Sequence, residues 1–150
     1  MTIARTRTAA LAIVAAGALA ALGPLQSAVA FISPPMVLLA SAQSPAKLVA
    51  KGAAVDVTVN YTCAGVTQMS LGVTLTEAVG RRTASGTAYA MVPCTGHSET
   101  KIMHVTADAT GASFGTGTAG SVTHVYGERW ANGRFYWGED TFSQTIKIAK

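Results

Sequence analysis

From Val55 to Cys63 the chain alternates with period two. Val55, Val57, Val59, Tyr61 and Cys63 fall on one side, and Asp56, Thr58, Asn60 and Thr62 on the other. A helix spreads such a set around its circumference, whereas a strand collects every second residue on one face. The stretch therefore predicts a half-buried strand. The pattern recurs at Met69, Leu71, Val73 and Leu75, at Ala88, Ala90, Val92 and Cys94, and at Met103, Val105 and Ala107. Gly80–Thr83, Thr95–Ser98 and Ala109–Ala112 read as the intervening turns or loops. A further strand is expected over about Ala119–Tyr126 and a last one from Phe135 to Lys150. Pro93 ends its strand or puts it at an edge, because proline has no N–H for a ladder. No apolar stripe at helical spacing occurs after residue 42. Regular short strands with Gly-rich turns predict an all-β fold, an antiparallel β-sandwich.

The first 42 residues are of a different kind. Arg5 and Arg7 precede an uncharged apolar stretch, Thr8–Leu22, which Gly23-Pro24 breaks. Ala28 and Ala30 then supply small residues at −3 and −1 of a cleavage site. That order predicts a cleavable secretory signal peptide over residues 1–30. A second small-x-small site, Ala40-Ser41-Ala42, allows cleavage after residue 42 instead. The apolar core is shorter than the roughly 20 residues of a membrane-spanning helix. Membrane contact is expected only through an uncleaved signal segment. Residues 31–53 read as a linker and 54–150 as the folded domain.

Export bears on charge and on the cysteines. The whole chain carries a formal charge of +4. From Gln43 onward nine Lys/Arg stand against seven Asp/Glu, and Arg81-Arg82 is the only adjacent basic pair. Phosphate binding requires clustered cations, so nucleic acid is not an expected partner. The two cysteines, Cys63 and Cys94, predict a structural disulfide in an oxidising compartment. Their spacing fits neither a CxxC redox motif nor a zinc site.

YTC at 61–63, VPCTG at 92–96 and VTADATGASFGTGTA at 105–119 resemble a group of small secreted proteins, mainly actinobacterial. The resemblance covers most of residues 54–150. It implies a signal peptide, one disulfide and an immunoglobulin-like β-sandwich, and it implies no activity. Antibody-type domains are less similar, since no Trp lies between Cys63 and Cys94. Secreted apoproteins of enediyne chromophores share VTAD-like strands but carry two disulfides.

No segment carries a recognisable catalytic motif. His97, His104 and His124 lack ligand spacing and a GxSxG context, so neither a metal nor a cofactor is expected. Glu77, Glu128, Glu139 and Asp140 are the candidates for a glycosidase-type carboxylate pair. Asn60-Tyr61-Thr62 matches the N-glycosylation pattern.

The distinctive stretch is GERWANGRFYWGED, Gly127–Asp140. Six of the ten aromatic residues lie between Tyr126 and Phe142. Asn132-Gly133 is a strong type I′ hairpin signal, because both central residues of that turn need positive φ. The turn sets Trp130 opposite Phe135, Arg129 opposite Tyr136 and Glu128 opposite Trp137. A half-buried hairpin hides one face, so Tyr136, with Arg129 and Arg134 nearby, is expected to be partly exposed. If the tip projects, several rings are exposed. Trp, Tyr and Arg are favoured where proteins bind. The candidate binding residues are therefore Arg129, Trp130, Arg134, Phe135, Tyr136 and Trp137. The expectation is a secreted, non-catalytic binding module for a protein or glycan. The rival readings are a carrier of a small hydrophobic ligand in an end cleft and a small secreted enzyme.

Overall fold

The computed structural model describes residues 35–150, so the expected signal peptide lies outside the described residues. The fold is all-β. Its strands are β1 Val37–Ala42, β2 Ala46–Val49, β3 Ala54–Ala64, β4 Gln68–Val79, β5 Arg82–Pro93, β6 Ser98–Thr106, β7 Gly117–Ala131 and β8 Arg134–Ala149. A single 3-10 turn, Ala50–Gly52, joins β2 to β3. No helix among the described residues is long and apolar enough to cross a membrane.

The expected linker over 31–53 is corrected by β1 and β2. Val37–Ala42 pairs antiparallel with Cys63-side residues of β3, Ala42 lying opposite Val59 and Val37 opposite Ala64. Further along the same strand, Lys47–Val49 pairs with Ala54–Asp56. β6 takes the opposite edge of β3 over its whole length, from Ala54↔Thr106 to Thr62↔Ser98. Within the apolar run MVLLA, residues 37–40 are thus sheet, not tether.

The remaining strands extend an open sheet in the order β8-β7-β4-β5. β4 pairs antiparallel with β5 and with β7, and β7 pairs with β8. β2 connects the two sets, because Ala46 and Lys47 pair in parallel with Ile148 and Ala149. Lys47 therefore lies between Asp56 on one side and Ala149 on the other.

Period two places the core. Val55, Val57 and Val59 of β3, Leu71, Val73 and Leu75 of β4, and Val125 of β7 are fully buried, and they belong to one apolar cluster with Met103 and Val105 of β6. Removing such side chains from water at about 25 cal/mol per Å² is the main favourable term in a domain of this size. Cys63 and Cys94 form the expected disulfide, linking the end of β3 to the residue after β5. A cross-link over such a loop stabilises by roughly 3–4 kcal/mol in the chain-entropy account. At the other end of β5 the two sets of strands come close. A Cβ on Gly86 would lie 2.1 Å from the Thr106 carbonyl oxygen, so only glycine fits.

Candidate binding surface at the β7–β8 hairpin

β7 keeps its alternation without a slip from Ala119 to Trp130. Ala119, Ser121, Thr123, Val125 and Gly127 face inward, and Val122, His124, Glu128 and Trp130 outward. The chain then reverses at Asn132 (φ 52°) and Gly133 (φ 70°), the left-handed pair a type I′ turn requires. The register is the one the Asn-Gly turn predicts: Trp130↔Phe135, Arg129↔Tyr136 and Glu128↔Trp137.

Tyr136 is half-buried on the inner face, and the rings in water are Trp130, Phe135 and Trp137, at 71%, 50% and 59% exposure. The inward phase of Val125 and Gly127 carries through to Arg129, and so to its partner Tyr136. The Arg129 guanidinium carbon stands 5.2 Å from the centre of the Tyr136 ring, and its Nη1 donates to the Gly65 carbonyl at 3.2 Å. A cation over an aromatic face contributes about 0.5–1 kcal/mol at a partly exposed site. This pair, tied to the β3–β4 loop, braces the hairpin from behind.

On the open side the Trp130 and Phe135 ring centres are 6.3 Å apart and tilted by 46°. That arrangement is within the favourable range for aromatic pairs. Trp137 stands two residues from Phe135 on the same face. Arg134 is exposed beside the turn. A depression of about 270 Å³ runs along Thr67, Gln68, Glu128, Arg129, Trp130 and Phe135. Tyr126 continues the face and donates to Glu128 Oε2 at 3.2 Å. Partial burial first, then Glu128, raises the Tyr126 pKa above its ordinary value.

Sequence reasoning missed the far side of this face. Tyr89 and Met91 of β5 are 75% and 61% exposed. They sit in the same outward rows as His124 and Tyr126, through Gly72 and Ser70 of β4. The Tyr89 ring lies across Gly72, where an added Cβ would come within 2.7 Å of it. The signal was present: setting Ala88, Ala90 and Val92 inward leaves Tyr89 and Met91 outward.

Of the carboxylate candidates, Glu128 and Glu139 both lie beside Tyr126, whereas Glu77 stands apart. Glu77 is inward and buried, and its Oε2 accepts the Gly115 N–H at 2.8 Å. It pairs with Ala119, whereas Glu128 lies opposite Trp137, so the two carboxylates sit at opposite ends of β7. His104 Nδ1 is 2.6 Å from Asp56 Oδ1, and His124 Nε2 is 3.9 Å from Glu139. Among the described residues no group of three or more His, Cys, Asp or Glu is placed to hold a metal ion. Asn60 is exposed and accepts a hydrogen bond from Thr100 Oγ1 at 3.0 Å.

No protein-family model matches the chain, and neither the curated proteins nor the solved structures include a match to it.

Proposed function

We propose that the chain is an exported immunoglobulin-like β-sandwich that binds an extracellular protein or glycan through the outer face of its β7–β8 hairpin. One observation carries this reading: three large rings, Trp130, Phe135 and Trp137, stand in water on one side of a hairpin whose other side is braced. Keeping such rings out of the core forgoes burial worth about 2 kcal/mol for a large apolar side chain. A partner that covers them recovers it. Trp and Arg at the centre of a desolvated patch are the residues that dominate binding energies. The bracing also lowers the ordering cost of binding, because the hairpin is held in place before a partner arrives.

The disulfide supports an oxidising compartment. The sandwich reading is supported by the two strand sets around β3 and β4 that share one core, with β2 crossing between them. Cleavage after residue 30 keeps β1, and cleavage after residue 42 removes it, so a mature chain beginning at Phe31 is the form we infer.

The test is a binding screen of the mature protein against glycan arrays and cell-envelope extracts, repeated with Trp130→Ala and Trp137→Ala. A partner that both substitutions weaken by about tenfold or more, with the fold intact, supports the reading. A partner bound equally by the wild type and both variants rules the hairpin out.

A further inference from the structure

We infer that β5 is an open strand edge through which two copies of this chain pair, forming a two-fold dimer centred on Tyr89. The inference is independent of the hairpin reading. It starts from where the backbone groups of β5 point.

In an antiparallel ladder, successive residues direct their N–H and C=O groups to opposite sides of the strand. Both ends of β5 fix the phase. The Thr83 carbonyl accepts from Ala112 N–H at 3.0 Å and the Ser85 carbonyl from Asp108 N–H at 2.7 Å, so odd-numbered residues face away from β4. Cys94 N–H donates to the Thr67 carbonyl at 3.2 Å, so even-numbered residues face β4. The segment 107–112 therefore covers the edge at Thr83 and Ser85. Beyond it, Thr87, Tyr89 and Met91 present N–H and C=O groups that no other strand among the described residues takes, since β5 pairs with β4 alone.

Natural edge strands are protected by charges, bulges, prolines or covering segments. Between Thr83 and Pro93 this edge has no charged residue. Its register with β4 runs from Val79↔Arg82 to Gln68↔Pro93 without a bulge. The covering segment stops at Ser85, and the proline stands only at the end. What remains open is an uncharged strand without a bulge, flanked by the exposed side chains of Tyr89 and Met91.

The second copy is the occupant because the open edge is complementary to itself in one register. With Tyr89 on a two-fold axis, Tyr89 meets Tyr89 of the other copy, and Thr87 meets Met91 in both directions. All three open residues then form hydrogen-bonded pairs. A register shifted one way brings Met91 to Ser85, whose carbonyl Asp108 already holds. Shifted the other way, Thr87 meets Pro93, which has no N–H to give. The two Tyr89 rings, both on the outward face, come side by side, and the outer rows of the two sheets become continuous.

Hydrogen-bonded antiparallel partners have Cα atoms about 5.5 Å apart, within disulfide reach. Tyr89→Cys in the full chain, purified as its host processes it, should give a covalent dimer on mild oxidation. The native Cys63–Cys94 bridge should be retained in that dimer. Sedimentation equilibrium of the wild type should show a reversible dimer. Tyr89→Pro removes an N–H that points away from β4, together with the ring that lies across Gly72, and Met91→Lys places a charge on the edge. Each should raise the dissociation constant by about tenfold or more with an unchanged circular dichroism spectrum. A wild type that stays monomeric up to its solubility limit overturns the inference. So does a dimer that both variants leave intact, or a Tyr89→Cys chain that does not cross-link.

Discussion

The Tyr61 hydroxyl donates to Glu99 Oε2 at 2.8 Å, and the two residues are direct partners across β3 and β6. Tyr61 is a core residue two positions from the disulfide, whereas Glu99 stands at the solvent edge, where Thr95 Oγ1 also donates to it. The pair therefore joins the core to the turn that follows Cys94.

This contact gives the fold an alkaline limit. Burial first, and then Glu99, pushes the Tyr61 pKa up from 10.0 to about 12. Above pH 10 an unfolded chain releases that proton while the folded chain retains it. Stability tied to Tyr61 is thus present below pH 10 and lost as the pH rises towards about 12. Glu99 acts in the opposite direction. The Thr95 hydrogen bond, followed by that from Tyr61, lowers its pKa below the ordinary 4.5, so its contribution is lost on acidification through that lowered value. Denaturant titrations at stepped pH should show the alkaline fall, and Tyr61→Phe should flatten it.

Trp130 and Trp137 are the only tryptophans and both are exposed. Emission should be red-shifted and acrylamide quenching strong in the free protein, and a bound partner should reduce the quenching. Trp137→Ala should change stability by less than about 0.5 kcal/mol, as surface substitutions do. Trp130→Ala also loses the ring pair with Phe135 and should cost about 0.5–1.5 kcal/mol by chemical denaturation.

Gly86→Ala should be among the most damaging single changes. Its methyl would meet backbone, the Thr106 carbonyl, and not a side chain that can rotate away. β5 or β6 would have to shift at the point where they approach. A loss of about 3 kcal/mol or more in unfolding free energy is expected.

Thr123 has the opposite prospect. Its hydroxyl is fully buried on the inward face of β7 and finds no hydrogen-bond partner among the described residues. An unsatisfied buried hydroxyl costs about 1–3 kcal/mol, and valine has nearly the same shape. Thr123→Val should raise the denaturation midpoint, by about 1 kcal/mol in free energy, without altering the strand content.

The strands that alternate cleanly were legible from sequence, β3 most of all, because a one-residue slip would turn every valine to water. The hairpin register was legible for a local reason: Asn132-Gly133 fixes it without reference to the rest of the chain. Two features were not. β1 lies in an apolar run that follows a targeting-like segment, and composition alone does not separate the end of one from the start of the other. The open face of the hairpin needs the phase of β7 carried from Val125 to Trp130. A strand expected to stop at Tyr126 breaks that count and leaves open which of the rings face out.

The parallel contact of β2 with β8 has a mechanical consequence. Ala46 and Lys47 lie beside Ile148 and Ala149 and run in the same direction. A pull that separates residue 46 from Lys150 drags β2 towards its start and β8 towards its end. Those hydrogen bonds are then strained sideways and together, instead of being opened one after another like a zip. Held at residue 46 and at Lys150, the chain would meet that force first at this clasp.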